Sequence, residues 1–451
     1  MVLTRLFITL LLSGNSRLNT VSKNNKDLYV YVLASILLVL ALFLVERFVF
    51  ITIDTNYDLF SKIAHEKREL RGKLIGYELV NKISSKDINK LFPENDEIQG
   101  DISALPTFDI DLYQISYTSV FLDEMVTLSG LIIVPNKDGP IRHLQYHHGT
   151  LLPYPYVNGE GSLDAPSLYS GGYPQTKNAH YETRLFGNYL GSAGFLVSMP
   201  DYIGYGVSSG YEHPYSVNDR LAEQSVDMLI ATQSFAEKLK LEVTDELYLS
   251  GWSEGAAASV ATQKLIENGA TDTDDSSYEI SISANFALAG FYNTELYSKL
   301  FLGLSPLDYS DWGGDLDVLL WALYAINAYT DDQPLDISSF LKIPAKNQLD
   351  VLKNRTTSTP AEIYRYFIAD KTSLLSKFAK NDLSAGWAPK ARLYIHHGTA
   401  DDIVYYPFNA ELTAENLYDE GGLTTLVRYD GHDHYSPAKL FLLDMIREIG
   451  E

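Results

Sequence analysis

The pattern of apolar and polar positions along the chain predicts a sheet whose strands alternate with helices. Strand-like segments recur at wide intervals between residues 112 and 431, namely LYQISYTSV, MVTLSGLIIVP, HLQYHHG, GFLVSMPDY, ELYLSG, ISISANFALAG, ARLYIHHG and LTTLVRYDG. Helix-like segments such as 215–239 and 255–268 lie between most of them. This alternation predicts an α/β fold over residues 110–451, with a mostly parallel central sheet flanked by helices.

Residues 294–388 interrupt the alternation. They are rich in aromatic side chains and have the composition of helices and loops rather than strands. We interpret them as an insertion that forms a helical cap over the sheet. Two of its aromatic residues, Trp312 and Trp321, could contact an acyl chain or pack inside the cap.

A long apolar segment precedes this domain. Residues 28–45 carry no charge, and the apolar run at 48–53 extends them, so 28–53 is long enough for a transmembrane anchor. Basic residues in the tail at 1–27 favour an N-terminus inside the cell, which would place the main domain on the non-cytoplasmic side. An alternative is a signal sequence, whose removal would give a secreted protein; a buried core helix is a further alternative.

The segment between this anchor and the first predicted strand is expected to be a helical spacer. Residues 54–109 are rich in charged side chains, and Ser85 is a plausible N-cap before the run KDINKLF. The spacer would lead into the α/β domain.

Charge and cysteine content narrow the functional classes. The formal net charge is -23, and a field of that sign repels phosphate backbones, so nucleic-acid binding is not expected. The chain contains no cysteine, which excludes disulfides, thiolate zinc sites and cysteine nucleophiles.

The stretch LYLSGWSEGA carries the strongest chemical signal, because it sets a serine between two glycines where a strand gives way to a helix. A serine hydroxyl becomes a nucleophile when a sharp turn exposes it and aims it at a base. Such an elbow around Ser253 leaves no room for side chains two residues before and after the serine, and Gly251 and Gly255 meet this requirement. The N-terminus of the alanine-rich helix that follows would favour negative charge at the site.

An acid and a base follow this serine at later strand ends. Asp401 and Asp402 come after ARLYIHHG, and His432 and His434 come after LTTLVRYD. The order serine, acid, histidine is one that a catalytic triad can take, and the carboxyl ends of parallel strands meet at one edge of a sheet.

Backbone donors and pocket residues complete the predicted site. The segment HHGT ends an upstream strand, so the Thr150 and Glu254 N–H groups are the natural pair of oxyanion donors. Trp252 and Tyr202 are candidate substrate-binding residues. Ordinary packing is the alternative for Trp252, and a loop-holding role is the alternative for Asp201 and Tyr202.

These residues resemble the α/β-hydrolase family, and more narrowly the secretory-lipase-like carboxylesterases. The resemblance rests on VTLSGLIIVP, HHGT, MPDYIGYGVSSGYEHPY, SGWSEGA, HHGTADDIVYYPFNA and DHYSPA, which span residues 110–450. It implies a Ser–Asp–His triad beneath helical cap segments, with Ser253 as nucleophile. Gly398, Asp401 and Val404 match the family's acid motif, and His434 matches its Asp-His pair, whereas the usual proline after the valine is displaced to Pro407.

The prediction is therefore an ester hydrolase of esterase or lipase type that acts on a small-molecule or lipid ester and uses no cofactor. Asp402 and His432 remain the alternatives for the acid and the base. A serine peptidase or amidase and an acyltransferase are alternatives on the same fold. A metal-dependent hydrolase built on the paired histidines, and an inactive binding protein, are more distant alternatives.

Overall fold

A computed structural model describes residues 70–91, 100–151, 161–173, 176, 178–269, 280–301, 316–331 and 371–450. The chain divides into two units, Met1–Glu66 and Lys67–Glu451, and the description concerns the second. The predicted tail at 1–27 and anchor at 28–53 lie outside the described residues. Within the residues that are described, no helix has both the length and the apolar character needed to cross a membrane.

The second unit is organised around one nine-stranded sheet. Its strands are β1 Leu74–Ile83, β2 Ile110–Phe121, β3 Glu124–Pro135, β4 Ile141–His147, β5 Phe195–Pro200, β6 Val243–Trp252, β7 Ile282–Leu288, β8 Arg392–Gly398 and β9 Thr424–Tyr429. They are ordered β1-β2-β3-β5-β4-β6-β7-β8-β9. The pairs β1–β2, β2–β3 and β3–β5 are antiparallel, and the remaining pairs are parallel. The predicted mostly parallel sheet is thus confirmed.

Helices cover both faces of this sheet, as a parallel sheet requires. They are α1 Ser85–Ile88, α2 Tyr189–Ser192, α3 Asn218–Leu239, α4 Glu254–Glu267, α5 Thr294–Phe301, α6 Leu316–Tyr329, α7 Lys371–Lys380, α8 Leu412–Asp419 and α9 Ala438–Gly450. One core cluster joins sheet residues to α2 and α9, for example through Tyr189 and Phe441. Another joins the sheet to α3 and α6, for example through Phe235 and Ile326.

The predicted helical spacer is wrong over residues 74–83, which form the edge strand β1. The segment LIGYELVNKI pairs antiparallel with β2 along its whole length, and Leu74 and Ile83 are buried. This pairing overrides the local charge pattern that suggested a helix. The short helix α1 begins at Ser85, and Ser84 rather than Ser85 occupies its N-cap position.

The described parts of the predicted insertion are the three helices α5, α6 and α7. Helix α6 packs on the loop that follows β5, where the Trp321 and Tyr215 rings stack with centroids 4.2 Å apart. The Glu212 carboxylate accepts hydrogen bonds from the Tyr324 and Tyr329 hydroxyls of the same helix. Trp312 lies outside the described residues.

Candidate active site

The segment around Ser253 forms a strand–turn–helix elbow. Strand β6 ends at Trp252, helix α4 begins at Glu254, and Ser253 alone makes the turn with φ 57° and ψ -120°. A non-glycine residue in this region of backbone space carries strain of about 1–3 kcal/mol, which the surrounding structure must offset. The Ser253 N–H donates to the Leu288 carbonyl at the end of the neighbouring strand, at 2.8 Å. The serine is therefore held half-buried at the carboxyl edge of the sheet.

The two glycines of the elbow have no room for a side chain. A Cβ atom at Gly251 would lie 2.2 Å from the Gly255 carbonyl oxygen. One at Gly255 would lie 2.0 Å from the His147 carbonyl oxygen on β4. Glycine at these positions lets α4 start directly against β4 and β6, which is what the turn at Ser253 needs.

Asp401 and His434 come together from the loops that follow β8 and β9. The His434 Nδ1 atom lies 2.8 Å from Asp401 Oδ2, and both side chains are buried. The other oxygen, Asp401 Oδ1, accepts the backbone N–H groups of Ile403 and Val404. Because an ionised carboxylate only accepts hydrogen bonds, Nδ1 carries the proton and Nε2 is left as a base.

The alternative acid and base are placed differently. Asp402 is exposed to solvent. His432 pairs through Nδ1 with the Ser436 hydroxyl at 3.0 Å, in an exposed loop. The displaced Pro407 begins a π-helical turn, Pro407–Glu411.

A second imidazole contacts the same carboxylate, which the sequence alone did not indicate. His397 Nε2 lies 3.1 Å from Asp401 Oδ2 and 2.7 Å from the Val404 carbonyl oxygen. Burial alone would raise the pKa of Asp401, but hydrogen bonds from His397 and His434 hold that pKa well below its usual range. Asp401 is therefore ionised near neutral pH.

Trp252 connects the histidine loop to the elbow. Its indole N–H donates to the His434 carbonyl oxygen at 3.2 Å, and the two rings lie 6.0 Å apart. The same indole packs against Phe186 and Tyr435. Trp252 is buried, and these contacts place His434 beside the residue that precedes Ser253.

The loop after β4 reaches the elbow from the other side. A Cβ atom at Gly149 would lie 3.0 Å from the Trp252 carbonyl oxygen and 3.5 Å from the Ser253 Cβ. The next residue, Thr150, pairs through its hydroxyl with the Tyr215 hydroxyl at 3.0 Å. The first amides of a helix lack intrahelical acceptors, so the Glu254 N–H at the start of α4 points outward, beside this loop.

Sequence reasoning missed Glu182, a half-buried carboxylate beside the Gly149 loop. Its two oxygens lie 3.1 Å and 2.9 Å from the Gly149 N–H nitrogen, and the Tyr146 hydroxyl donates to it at 2.8 Å. Burial raises the pKa of Glu182 to about 7, although both hydrogen bonds lower it. Nothing in the local sequence marks this residue, because its partners lie on β4.

The Glu254 side chain makes contacts of its own, in addition to the backbone N–H that was predicted as an oxyanion donor. Its Oε1 atom lies 2.9 Å from His213 Nε2 and accepts the Ser216 N–H at 3.3 Å. In the described part of the chain, its Oε2 atom has no hydrogen-bond partner although it is buried. These contacts tie α4 to the loop that carries Tyr215.

Tyr202 and Asp201 lie in the interior rather than at the surface of a cleft. The Tyr202 ring packs on His148 at 4.4 Å, and its hydroxyl lies 3.4 Å from the His148 carbonyl oxygen. Asp201 accepts hydrogen bonds from the Ser129 hydroxyl and the Ser167 N–H. Their described contacts are therefore with the protein's own loops.

The paired histidines do not assemble a metal centre in the described residues, where no group of three or more His, Asp or Glu side chains could hold an ion. His147 Nδ1 faces the Ser250 carbonyl oxygen, and His396 Nδ1 faces the Tyr429 hydroxyl. Burial lowers the pKa of His147 to about 4 and that of His396 to about 3, so both rings are neutral near pH 7.

No protein-family model and no curated protein sequence matches the chain. Solved structures do match it. A putative hydrolase from Legionella pneumophila is 20% identical with a TM-score of 0.62, and the alignment covers 84% of this chain and 97% of the other. The rice cell wall degrading esterase LipA from Xanthomonas oryzae, in a ligand-bound form, is 20% identical with a TM-score of 0.61, covering 84% and 97%.

Candida antarctica lipase A in its closed state is 17% identical with a TM-score of 0.54, and the alignment covers 84% of this chain and 83% of the lipase. At this level of identity the likeness establishes the fold. The chain has the α/β-hydrolase fold, in the form found in these hydrolases, esterases and lipases.

Proposed function

We propose that this protein hydrolyses carboxylic esters through Ser253, His434 and Asp401. The observation that carries the proposal is the buried Asp401–His434 pair at the ends of β8 and β9, held by Trp252 next to the strained Ser253 turn. A strained serine, a correctly protonated imidazole and a fixed carboxylate are the parts that acyl transfer needs.

The chemistry follows from the protonation states. His434 Nε2 takes the hydroxyl proton of Ser253 as its oxygen attacks the ester carbonyl, and Asp401 stabilises the imidazolium that forms. The Thr150 and Glu254 N–H groups hold the oxyanion, with the start of α4 adding its dipole. His434 then protonates the leaving alcohol, and water releases the acyl group by the same steps in reverse.

The substrate class is an ester with an apolar acyl portion. Structural neighbours that are named as an esterase and a lipase support this class. The aromatic side chains of α6, with Trp321 stacked on Tyr215 next to Thr150, support it as well. No part of the proposed reaction uses a metal or a cofactor.

The experiment is hydrolysis of a p-nitrophenyl ester series, from acetate to palmitate, by the full-length protein and by Ser253→Ala. Ser259→Ala is the matched control, because Ser259 is a buried serine on α4, the helix that follows Ser253, and its hydroxyl donates to the Ala256 carbonyl. We expect Ser253→Ala to lose activity and Ser259→Ala to keep it. Activity that survives in Ser253→Ala would refute the proposal.

We also propose that the catalytic domain lies outside the cytoplasm, either anchored by residues 28–53 or secreted after cleavage. The uncharged run at 28–45 supports this. Activity that sediments with membranes, in a protein whose N-terminus is intact, would indicate an anchor. Soluble activity with a new N-terminus beyond Val45 would indicate secretion, and soluble activity with an intact N-terminus would contradict both.

A further inference from the structure

Glu182 is a half-buried carboxylate beside the proposed site that the reaction described above does not use. It lies just ahead of the π-helical turn Thr183–Asn188 that leads into α2, and it faces the loop after β4. Both of its oxygens face the Gly149 N–H, and the Tyr146 hydroxyl donates to one of them. These two donors are uncharged.

The loop that Glu182 holds lies directly against the nucleophile. A Cβ atom at Gly149 would lie 3.0 Å from a Glu182 oxygen, 3.0 Å from the Trp252 carbonyl oxygen and 3.5 Å from the Ser253 Cβ. The backbone at Gly149 is therefore in close contact with both the Glu182 carboxylate and the Ser253 elbow. A shift of this loop would move the following amide, that of Thr150, relative to Ser253.

The direction of the Gly149 amide explains what the carboxylate achieves. Because the Gly149 N–H donates to the Glu182 carboxylate, the peptide plane before Gly149 is fixed. The next N–H, that of Thr150, is then free to face the oxygen that develops charge at Ser253. The Thr150 hydroxyl is held independently by Tyr215, so the loop is fixed from both sides.

Desolvation makes a carboxylate energetically costly at this position. A glutamine of the same length would offer the Gly149 N–H an acceptor without that desolvation penalty. A charged acceptor, however, forms the stronger hydrogen bond and fixes the donor more firmly. The charges of Glu254 and Asp164 raise the pKa of Glu182 further, and Glu182 in turn raises the pKa of Tyr202 and that of Tyr435 beside His434.

We propose that Glu182 is a positioning residue for the oxyanion hole, which holds the Gly149 N–H so that the Thr150 N–H faces the Ser253 site. The proposal rests on the esterase function proposed above. It assigns to Glu182 an effect on the transition state and none on substrate binding, since its carboxylate touches the loop and not the ester.

The test compares an ester with the matching thionoester, in which sulfur replaces the carbonyl oxygen. Sulfur is larger and a weak hydrogen-bond acceptor, so a working oxyanion hole strongly favours the oxygen substrate. We expect Glu182→Gln to lower kcat for the ester by about 10-fold and Glu182→Ala by about 100-fold, because a misplaced donor should cost no more than the roughly 10²–10³-fold loss that follows removal of one donor. KM should change less than about 3-fold, and the ester-to-thionoester rate ratio should fall together with kcat.

Asp227→Asn is the matched control. Asp227 is a buried carboxylate, held by Arg71 and the Ser119 hydroxyl on β2, and burial raises its pKa to about 6. We expect this variant to lose stability while keeping the wild-type rate ratio. Glu182→Gln preserves the shape of the side chain, so it tests the proposal even if Glu182→Ala fails to fold.

Three different results would overturn either the positioning role of Glu182 or the proposed esterase function on which it rests. An unchanged rate ratio in Glu182→Gln would refute the positioning role, even if kcat fell. A ratio that fell equally in Asp227→Asn would indicate a general loss of order. A wild-type protein that hydrolyses neither substrate would refute the esterase function itself, and the role of Glu182 would fall with it.

Discussion

Asp401 and Glu182 are two carboxylates that approach the Ser253 elbow from opposite sides, and their environments drive their pKa values apart. Asp401 receives hydrogen bonds from two imidazoles and two backbone N–H groups, and its pKa lies well below the usual range. Glu182 has only uncharged donors and the nearby negative charge of Glu254, and its pKa rises to about 7.

The difference shows that burial alone does not set the pKa of an acid, because two imidazoles outweigh it at Asp401 and two uncharged donors do not outweigh it at Glu182. Asp401 is a permanent anion that can orient and stabilise His434 throughout the working pH range. Glu182 changes its charge near neutrality, so its hold on the Gly149 loop strengthens as the pH rises. A carboxylate on one side of Ser253 thus has a charge that does not change near neutral pH, whereas the carboxylate on the other side has a charge that does.

The largest effect should come from removing the constant charge. We expect Asp401→Asn to lower kcat by about 10³–10⁴-fold, because the amide favours the wrong tautomer of His434 and offers no charge to the imidazolium. Steady-state hydrolysis of a p-nitrophenyl ester measures this. The exposed neighbour provides the control, and Asp402→Asn should keep near wild-type activity; a large loss there instead would reassign the acid.

A smaller effect should appear in the dependence of stability on pH. The folded-state pKa of Glu182 lies above its unfolded value of about 4.3, so the folded protein binds the extra proton between about pH 4.3 and about pH 7. Its contribution to stability is complete below that window and is lost as the pH rises through about 7.

Relative to Glu182→Gln, the wild-type free energy of unfolding should therefore fall by up to about 3 kcal/mol between pH 4.5 and pH 7.5. Urea denaturation of both proteins at several pH values measures the difference. Parallel stability curves for the two proteins would mean that Glu182 ionises normally, and the contrast with Asp401 would disappear.

The smallest effect should come from the second imidazole at Asp401. We expect His397→Ala to lower kcat by about 10-fold, since the carboxylate loses one charge-assisted partner but keeps His434. His397→Gln should recover much of this loss, because its amide N–H₂ can occupy the place of Nε2. His432→Ala is the control, since His432 bonds to Ser436; equal losses in both variants would argue against a specific role for His397.

The triad candidates were readable from the sequence because each follows its own strand directly. Ser253 comes after β6, Asp401 after β8 and His434 after β9. The strand pattern predicted one edge of the sheet for these residues and left Asp402 and His432 as alternatives, and the family resemblance favoured Asp401 and His434. The need for glycine at positions 251 and 255 was also predictable, because it follows from the tight turn itself and not from distant parts of the chain.

Structural features that depend on residues far away in the sequence could not be predicted from the local strand pattern. The strand β1 is defined by its pairing with β2, and its charged, irregular pattern carries no clear period of its own. Glu182 owes its role to an amide 33 residues earlier in the chain. His397 belongs to a recurrent HHG segment, and only the fold reveals that its ring turns toward Asp401.

The position of β6 in the sheet has a consequence for how the protein loses activity. This strand lies between β4 and β7, with several strands on either side, whereas β1 and β9 are edges. Amide hydrogens at the centre of a sheet exchange with solvent only through large-scale opening, while edge strands fray locally. Heat inactivation should therefore coincide with exchange of the β6 amides, long after those of β1 have exchanged.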